Sequence, residues 1–423
     1  MPLLEPAGGT FRAAVRDLPR HASLGTLSYA FIAFVFATTG PLLLLLNAAA
    51  IGRLTPSQTA TWIFASYGFG GLLGLVLSLW YRMPMGSAWS IPGVILVGTF
   101  LSHFTLADAV GVYLVVGAVC VLLGVTGIFK YIVSRIPLPI ILGMVSAVLL
   151  PLAVNIVSSV SKAPLHAGGA VIAFLVASAF AKLSRKVPPI LWAIVVGVLL
   201  AVVGGTIDGS NLGFGVVSPE AIAPRFNRSA LVELALPLML TMLAVQNAQS
   251  FALLRGLGYG DPPINAVTTA TGVSTMLGAF LGSHGACTAP VMIGIMGSDE
   301  VGPKEGRYVA GVFNGLMLIG FAVLAPVATG LARAMPATLI SVLGGLSLIP
   351  VLAASFGKAF EGKFRLGALA AFIITISNLT IARIGAPFWG IVGGVIVSLV
   401  LEPHDFKSMV PTPQRRASDQ PAP

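Results

Sequence analysis

The chain has 423 residues, 56% hydrophobic and 9% charged, with a mean hydropathy of +0.96 and a formal net charge of +10. Soluble domains carry roughly 25% charged residues. Too few are present here to cover a water-facing surface, so a soluble enzyme and a disordered chain are excluded, and an all-α polytopic membrane protein remains. Lys and Arg then read as anchors of cytoplasmic loops rather than as a nucleic-acid surface. Cys120 and Cys287 lie in apolar stretches and make neither a disulfide framework nor a metal-ligand spacing.

Residues 1–24 are basic, lack an apolar core and are not a signal peptide. A helix needs roughly 20 apolar residues to cross the hydrocarbon. By that measure the first half holds spans at 27–51, 57–80, 107–129, 137–157, 168–184 and 188–205, with a short, broken segment at 84–102 in third place. A polar stretch over 206–228 separates the halves. The second half holds spans at 229–254, 262–281, 306–330, 336–356, 365–381 and 386–402, with a broken segment at 284–297 in tenth place. Residues 403–423 form a polar, Pro-containing tail expected to be disordered. Fourteen transmembrane segments put both termini on one side. With that side cytoplasmic, 18 of the 24 Lys and Arg lie inside and 6 outside, as the positive-inside rule requires. Usage rich in Ala, Gly and Val points to a bacterium, and hence to its inner membrane.

The two halves match in order. Asn47 pairs with Asn247, Gly86-Ser87 with Gly282-Ser283, and Pro92 with Pro290. Pro137 and Pro151 correspond to Pro336 and Pro350, and Trp192 to Trp389, all at offsets from 196 to 200. Seven spans is an odd number, so the second repeat (229–402) is upside down relative to the first (25–205). Such a 7+7 inverted repeat is the architecture of many secondary transporters, whose substrates bind where interrupted helices of the two halves meet. Here those are segments 3 and 10. Each runs extended through small residues and then meets a proline, which suits the first turn of a helix. Two half-helix N-termini facing one cavity make an anion site without Arg or Lys.

Ionisable residues within a membrane are functional candidates by default. His284 sits at the break in segment 10, where it can exchange a proton or donate a hydrogen bond. Gln246 and Asn247 lie deep in the eighth span and need partners or a polar cavity. Asn47 is the repeat mate of Asn247 and a candidate for cavity lining. Ser90, Thr288 and Trp89 sit on the broken segments, and Trp89 offers an aromatic wall to a flat ligand. Glu233, four residues after Ser229 as N-cap, reads as a first-turn acid favoured by the helix dipole. No Gly-x-x-x-x-Gly-Lys-Ser/Thr loop or His-Glu-x-x-His motif is present. Neither is an Arg-rich helix. An ion gradient or the substrate's own gradient must therefore drive transport.

Ala88-Trp-Ser-Ile-Pro-Gly93, Gln246-Asn-Ala248 and Gly282-Ser-His-Gly285 resemble the benzoate:proton symporter family, the BenE type, over residues about 25 to 402. That family is similar in fold to nucleobase:cation symporters of the uracil and xanthine type and to sulfate and bicarbonate carriers. The resemblance implies a core domain, 25–129 plus 229–330, and a gate domain, 137–205 plus 336–402. It also implies short strands in segments 3 and 10 that pair near the substrate, and pairing of two copies through the gate domain, as in many relatives. The nucleobase branch places acids in the eighth and tenth spans. Here Gln246-Asn247 and Ser283-His284-Gly285 stand instead, which suits an anion that a carboxylate would repel. Cys287-Thr-Ala-Pro290 departs from the Ala-rich, Asn-containing run of the benzoate pattern.

The resulting expectation is a secondary transporter, not an enzyme, that imports an aromatic carboxylate with a proton by alternating access, benzoate first among substrates. It needs no metal and no cofactor beyond the proton gradient; its partners are substrate, protons and lipid. The carboxylate would rest against Ser90, Ile91, Gly93, Gly285, Ala286 and Thr288, and the ring on Trp89. Gln246, Asn247 and His284 complete the contacts, with His284 as proton relay. His284→Ala is expected to abolish concentrative uptake and leave folding intact. A nucleobase permease and an uncoupled small-anion carrier or channel of the same fold are the rival readings.

Overall fold

The computed structural model describes residues 5, 9–129, 137–180, 189–209, 215–381 and 386–407. Helix dominates because hydrocarbon offers backbone N–H and C=O groups no water, and a helix satisfies them within one segment. In the first half these are α1 (Phe11–His21), α2 (Leu24–Thr38), α3 (Gly40–Ile51), α4 (Pro56–Tyr81), strand β1 (Ser87–Trp89), α5 (Ile91–Phe100), α6 (Leu106–Thr126), α7 (Leu138–Lys162), α8 (Gly169–Ala179) and α9 (Pro189–Val203). The second half holds α10 (Arg228–Leu240), α11 (Ala248–Gly256), α12 (Ile264–Ala279), strand β2 (Ala286–Thr288) and α13 (Pro290–Gly297). It continues with α14 (Tyr308–Val323), α15 (Ala325–Ala334), α16 (Ala337–Phe360), α17 (Arg365–Ile376), α18 (Ala386–Leu401) and α19 (Pro403–Lys407). Among the described residues, seven helical stretches are long and apolar enough to cross a membrane: 24–51, 56–81, 106–126, 138–162, 228–255, 304–323 and 337–360. Shorter apolar helices cover 91–100, 164–179, 189–203, 365–376 and 386–401.

Local sequence sets the ends. Thr55 and Gln58 cap α4 reciprocally, as Thr105 and Asp108 cap α6. The expected span 27–51 is two helices: Thr39 leaves helical geometry at φ −99°, ψ −90°, and Pro41 restarts the helix as α3. Similarly, 306–330 divides into α14 and α15, with Pro326 in the first turn of the second. The N-cap of α10 is Asn227, whose side chain accepts from Ser229 and Ala230 N–H; Ser229 itself is inside the helix. The expected span 229–254 widens into a π turn at Thr241–Asn247 before α11. Pro237, inside α10, has no N–H to donate, and one turn later the ladder loosens. In the tail, 403–407 is helical and the remainder lies outside the described residues.

The strands β1 and β2 pair antiparallel, Ser87 with Thr288, Ala88 with Cys287 and Trp89 with Ala286. They are buried, so every backbone group there needs a partner. Alpha-helix α4 lies close against β1: a Cβ on Gly70 would come within 2.6 Å of the Ala88 Cα, and one on Gly74 within 2.8 Å of the Met85 carbonyl. Cys120 and Cys287 are both free and buried.

Packing falls into two sets. In one, α4 packs on α14, α6 on α12, and α2 on α14, with the strands among them. In the other, α7 packs on α16 and α17, α17 on α18, and α8 on α9. The described residues of the stretch between the halves, 206–209 and 215–228, are tied down as a strap. Asp208 N–H donates to Ala334 O, Val217 N–H to Val323 O, Ile222 N–H to Phe280 O and Arg225 N–H to Ala107 O. Glu220 meets Ser57 through its side chain and Thr61 through its N–H. On the opposite face α1 docks, with Arg82 on Asp17 at 2.7 Å and the Tyr308 hydroxyl donating to Ala14 O at 2.8 Å.

Candidate functional site

A cavity of about 480 Å³ lies where the first turns of α5 and α13 approach α16. Ile91, Pro92, Pro290 and Val291 form one wall, and Leu346, Ser347 and Pro350 face them. Apolar side chains dominate, among them Phe36, Leu44, Leu142, Phe174 and Ile190. Gln246, Gln249, Ser355 and Lys358 supply polar groups, and no carboxylate lines it among the described residues. The volume and the mostly apolar lining match small-molecule sites, which span roughly 300–1,000 Å³. α16 starts beside the strap, through Ala334, and Lys358 lies near its far end, so the cavity reaches toward the α1 face.

The two helix starts differ. Ser90 caps α5, its Oγ accepting from Gly93 N–H at 3.1 Å. α13 begins at Pro290 with no side-chain cap. Its first-turn N–H groups are among those a helix leaves unpaired, and they carry the positive end of its dipole.

Of the residues singled out in the sequence, Ile91 and Gln246 line this cavity. Trp89 lines a small extension of it, about 40 Å³, together with Ile91, Gln246 and Pro290. Its buried indole N–H lacks a hydrogen-bond partner, beside the ring of Tyr67. Ser90, Gly93, Asn247, His284, Gly285, Ala286 and Thr288 are outside the lining and stand behind the wall. Asn247 Oδ1 accepts from Thr288 N–H at 2.9 Å and from its hydroxyl at 2.8 Å, and Nδ2 donates to Thr271 at 3.2 Å. Asn247 therefore ties the π turn to β2 and α12. Asn47 is half-buried next to Gly344 of α16 and is not among the lining residues.

His284 is completely buried. The Trp62 indole N–H, which can only donate, meets its Nδ1 at 3.1 Å. Nδ1 is thus the acceptor, and Nε2–H points to the Ser90 carbonyl at 3.4 Å. Trp62 and Trp89 pack edge-on against the ring at 5.6 and 5.3 Å. This geometry describes a neutral ring that joins α4, β1 and β2. Its removal would orphan the Trp62 donor, so the expectation that His284→Ala spares folding needs correcting.

The sequence profile described as Benzoate membrane transport protein, BenE, matches residues 20–400. The chain belongs to the BenE family. It is 29% identical over 378 residues to inner membrane protein YdcO of Escherichia coli strain K12, covering 89% of this chain and 95% of that one. It is 28% identical over 392 residues to the benzoate membrane transport protein of Acinetobacter baylyi, covering 92% and 98%. Among solved structures it is similar to the transmembrane domain of the cyanobacterial bicarbonate transporter BicA, with TM-score 0.60, 15% identity and coverage of 89% and 96%. SLC26A9 matches with TM-score 0.64 and 14% identity, over 94% of this chain and 67% of that one. These last two share the fold. The protein is therefore a membrane transporter and not an enzyme.

Within this BenE-family chain, sequence reasoning missed the walls that face α5 and α13. Lys358, Phe174, Ile190 and Leu346 come from helices that carry no motif. A usable signal did exist at Pro350, the repeat mate of Pro151, which lines the cavity.

Proposed function

We propose that the protein imports an aromatic carboxylate, benzoate first among them, with a proton, across a bacterial inner membrane whose cytoplasmic side holds both termini. The carrying observation is the cavity at the starts of α5 and α13, apolar for a ring and, among the described residues, lined by no carboxylate. A carboxylate placed there meets the open N–H groups of α13 and the amide of Gln246, with Lys358 toward the α1 face. Ile91, Trp89 and Phe36 suit the ring. His284, Asn247, Ser90 and Thr288 hold those helix starts in register. The relatives' benzoate and bicarbonate names point to small carboxylate-like anions. A nucleobase would look for acidic acceptors, and the described lining residues include none.

Alternating access of fourteen spans in two inverted repeats is favoured by one numerical coincidence of geometry. β1 and β2 correspond at an offset of 199, as do the starts of α5 and α13. Ala88 and Cys287, related by that offset, pair in the centre of the ladder, as a two-fold axis between repeats demands. Leu346, Ser347 and Pro350 line the large cavity, and Ala147, Val148 and Pro151, each 199 earlier, line a second one of about 240 Å³ on the strap face. Equivalent residues thus serve opposite sides. The set holding α7, α8, α9 and α16–α18 is then the gate, and the other set the core that moves against it. Lipid covers exposed side chains such as Leu122, Ile172 and Val400, and two copies would pair through the gate.

Radiolabelled benzoate uptake into proteoliposomes, with and without an inward-directed proton gradient, tests the reading. Gradient-dependent accumulation is expected. Equilibration without accumulation would leave an uncoupled carrier or channel, and competition by uracil or xanthine would revive the nucleobase reading.

A further inference from the structure

Helix α1 presents three unlike sectors around its axis. At about 100° per residue, Ala14, Asp17, Leu18 and His21 fall in one sector, Phe11, Val15 and Pro19 in the next, and Arg12, Arg16 and Arg20 in the third. The first sector is docked on the protein. Ala14 is buried with Leu79, Val309 and Val312, Asp17 meets Arg82, and the His21 ring lies edge-on to that of Tyr308 at 6.1 Å. Thr10 caps the helix, and upstream the Glu5 carboxylate accepts from Asn265 and Ala266 N–H at 2.9 and 3.0 Å, at the start of α12. These contacts hold α1 in one orientation, with the other two sectors turned outward.

Every residue of the two outward sectors is exposed. Phe11 packs on Trp80 at 6.0 Å, and Trp80 is 47% exposed at the end of α4, a helix long and apolar enough to cross a membrane. Tryptophan concentrates where such helices leave the hydrocarbon, so Trp80 sets the height of α1 at the membrane surface. The row of Phe11, Val15 and Pro19 continues the apolar surface of α4 at that height, and the arginine row runs beside it. Among the described residues, Asp17 is the one acid within 4 Å of an α1 arginine; it is 3.4 Å from Arg16 and only 2.7 Å from Arg82.

We propose that α1 is an interfacial anchor whose row of Arg12, Arg16 and Arg20 binds the headgroups of anionic phospholipids, with Phe11, Val15 and Pro19 set into the acyl boundary beside Trp80. A helix with a basic face next to an apolar one lies in the plane of the interface, where both faces are satisfied together. The arginines recur every four residues, about 6 Å along the axis, and each guanidinium offers paired N–H donors that match the oxygens of a phosphate. A soluble acidic partner or free phosphate would satisfy the arginines and leave the apolar row in water. A membrane covers both.

The test uses the full-length protein with a fluorophore on Val15→Cys; Cys120 and Cys287 are buried and are shielded from labelling. It is reconstituted in vesicles of phosphatidylcholine and phosphatidylglycerol, with one lipid at a time brominated in its acyl chains. Brominated lipid is expected to quench the label, and aqueous acrylamide to leave it largely unquenched. At equal mole fraction, brominated phosphatidylglycerol is expected to quench more than brominated phosphatidylcholine. That preference is expected to vanish when Arg12→Gln, Arg16→Gln and Arg20→Gln are combined, and in high salt, because each arginine near an anionic surface contributes about fivefold in affinity and is screened by ions. A label open to acrylamide and untouched by either brominated lipid overturns the anchor and leaves a surface for a soluble acidic partner. Equal quenching by the two lipids overturns the headgroup site, and so does a preference that survives the triple substitution. Should the triple variant not fold, salt on the otherwise unaltered protein decides, and a salt-independent preference overturns the site.

Discussion

His284 has no exposed surface and both ring nitrogens bound to protein groups, whereas His103 is 45% exposed and shares one nitrogen with a carboxylate. The first ring joins three elements through a Trp donor and a backbone carbonyl. Gaining a proton there would break the Trp62 hydrogen bond and place a charge among aromatic rings. At the rim of the second cavity, the second ring meets a carboxylate at 2.7 Å with water at hand. Depth in the membrane therefore says little about what a histidine is free to do; the partner on each nitrogen says more.

The sharpest way to break this comparison is His284→Ala. It removes a buried ring and orphans the Trp62 N–H, and is expected to cost about 3–5 kcal/mol in unfolding followed in detergent. Unaltered stability would return His284 to the list of proton carriers. Asn247→Ala comes next. It strands the Thr288 N–H at the end of β2, and a loss of about 2–3 kcal/mol is expected by the same measurement. For His103→Gln a loss of about 1–2 kcal/mol is expected, since the substitution takes a hydrogen-bond partner from the buried Glu233 carboxyl. A larger loss would mean that the rim histidine is structural after all.

The smallest effect concerns α1. The Arg82 guanidinium, 2.7 Å away, holds the Asp17 carboxyl below its ordinary value of 3.8. A depressed native value adds stability that is fully present above the unfolded value and is lost as pH falls through the native one. Wild type is thus expected to exceed Arg82→Gln slightly at neutral pH and to converge with it below about pH 4. A gap that persists in acid would show that Arg82 acts through packing on Tyr308 instead.

Much of the candidate site was legible in the chain. Pro92 and Pro290 mark where helices begin, since proline fixes φ and needs no N–H donor there, and α5 and α13 begin at Ile91 and Pro290. Gln246 was readable, with Asn247, as an amide deep in an apolar run. Asn47 was flagged by symmetry, but its helix turns it toward Gly344. His103 passed unremarked because a histidine beside a short loop has no signature, and Glu233 looked like an ordinary first-turn acid. The two are 130 positions apart, so no local pattern joins them.

Composition and apolar run length by themselves determined a helical membrane protein, because the solvent dictates them residue by residue. Order and spacing added the paired breaks and, through three short motifs, the family. Register of the two strands, the far walls of the cavity and the partners of each histidine were decided by tertiary structure alone. Those depend on which face a helix turns to its neighbours, and that is settled by close approaches such as Gly70 on Ala88, summed over the whole fold.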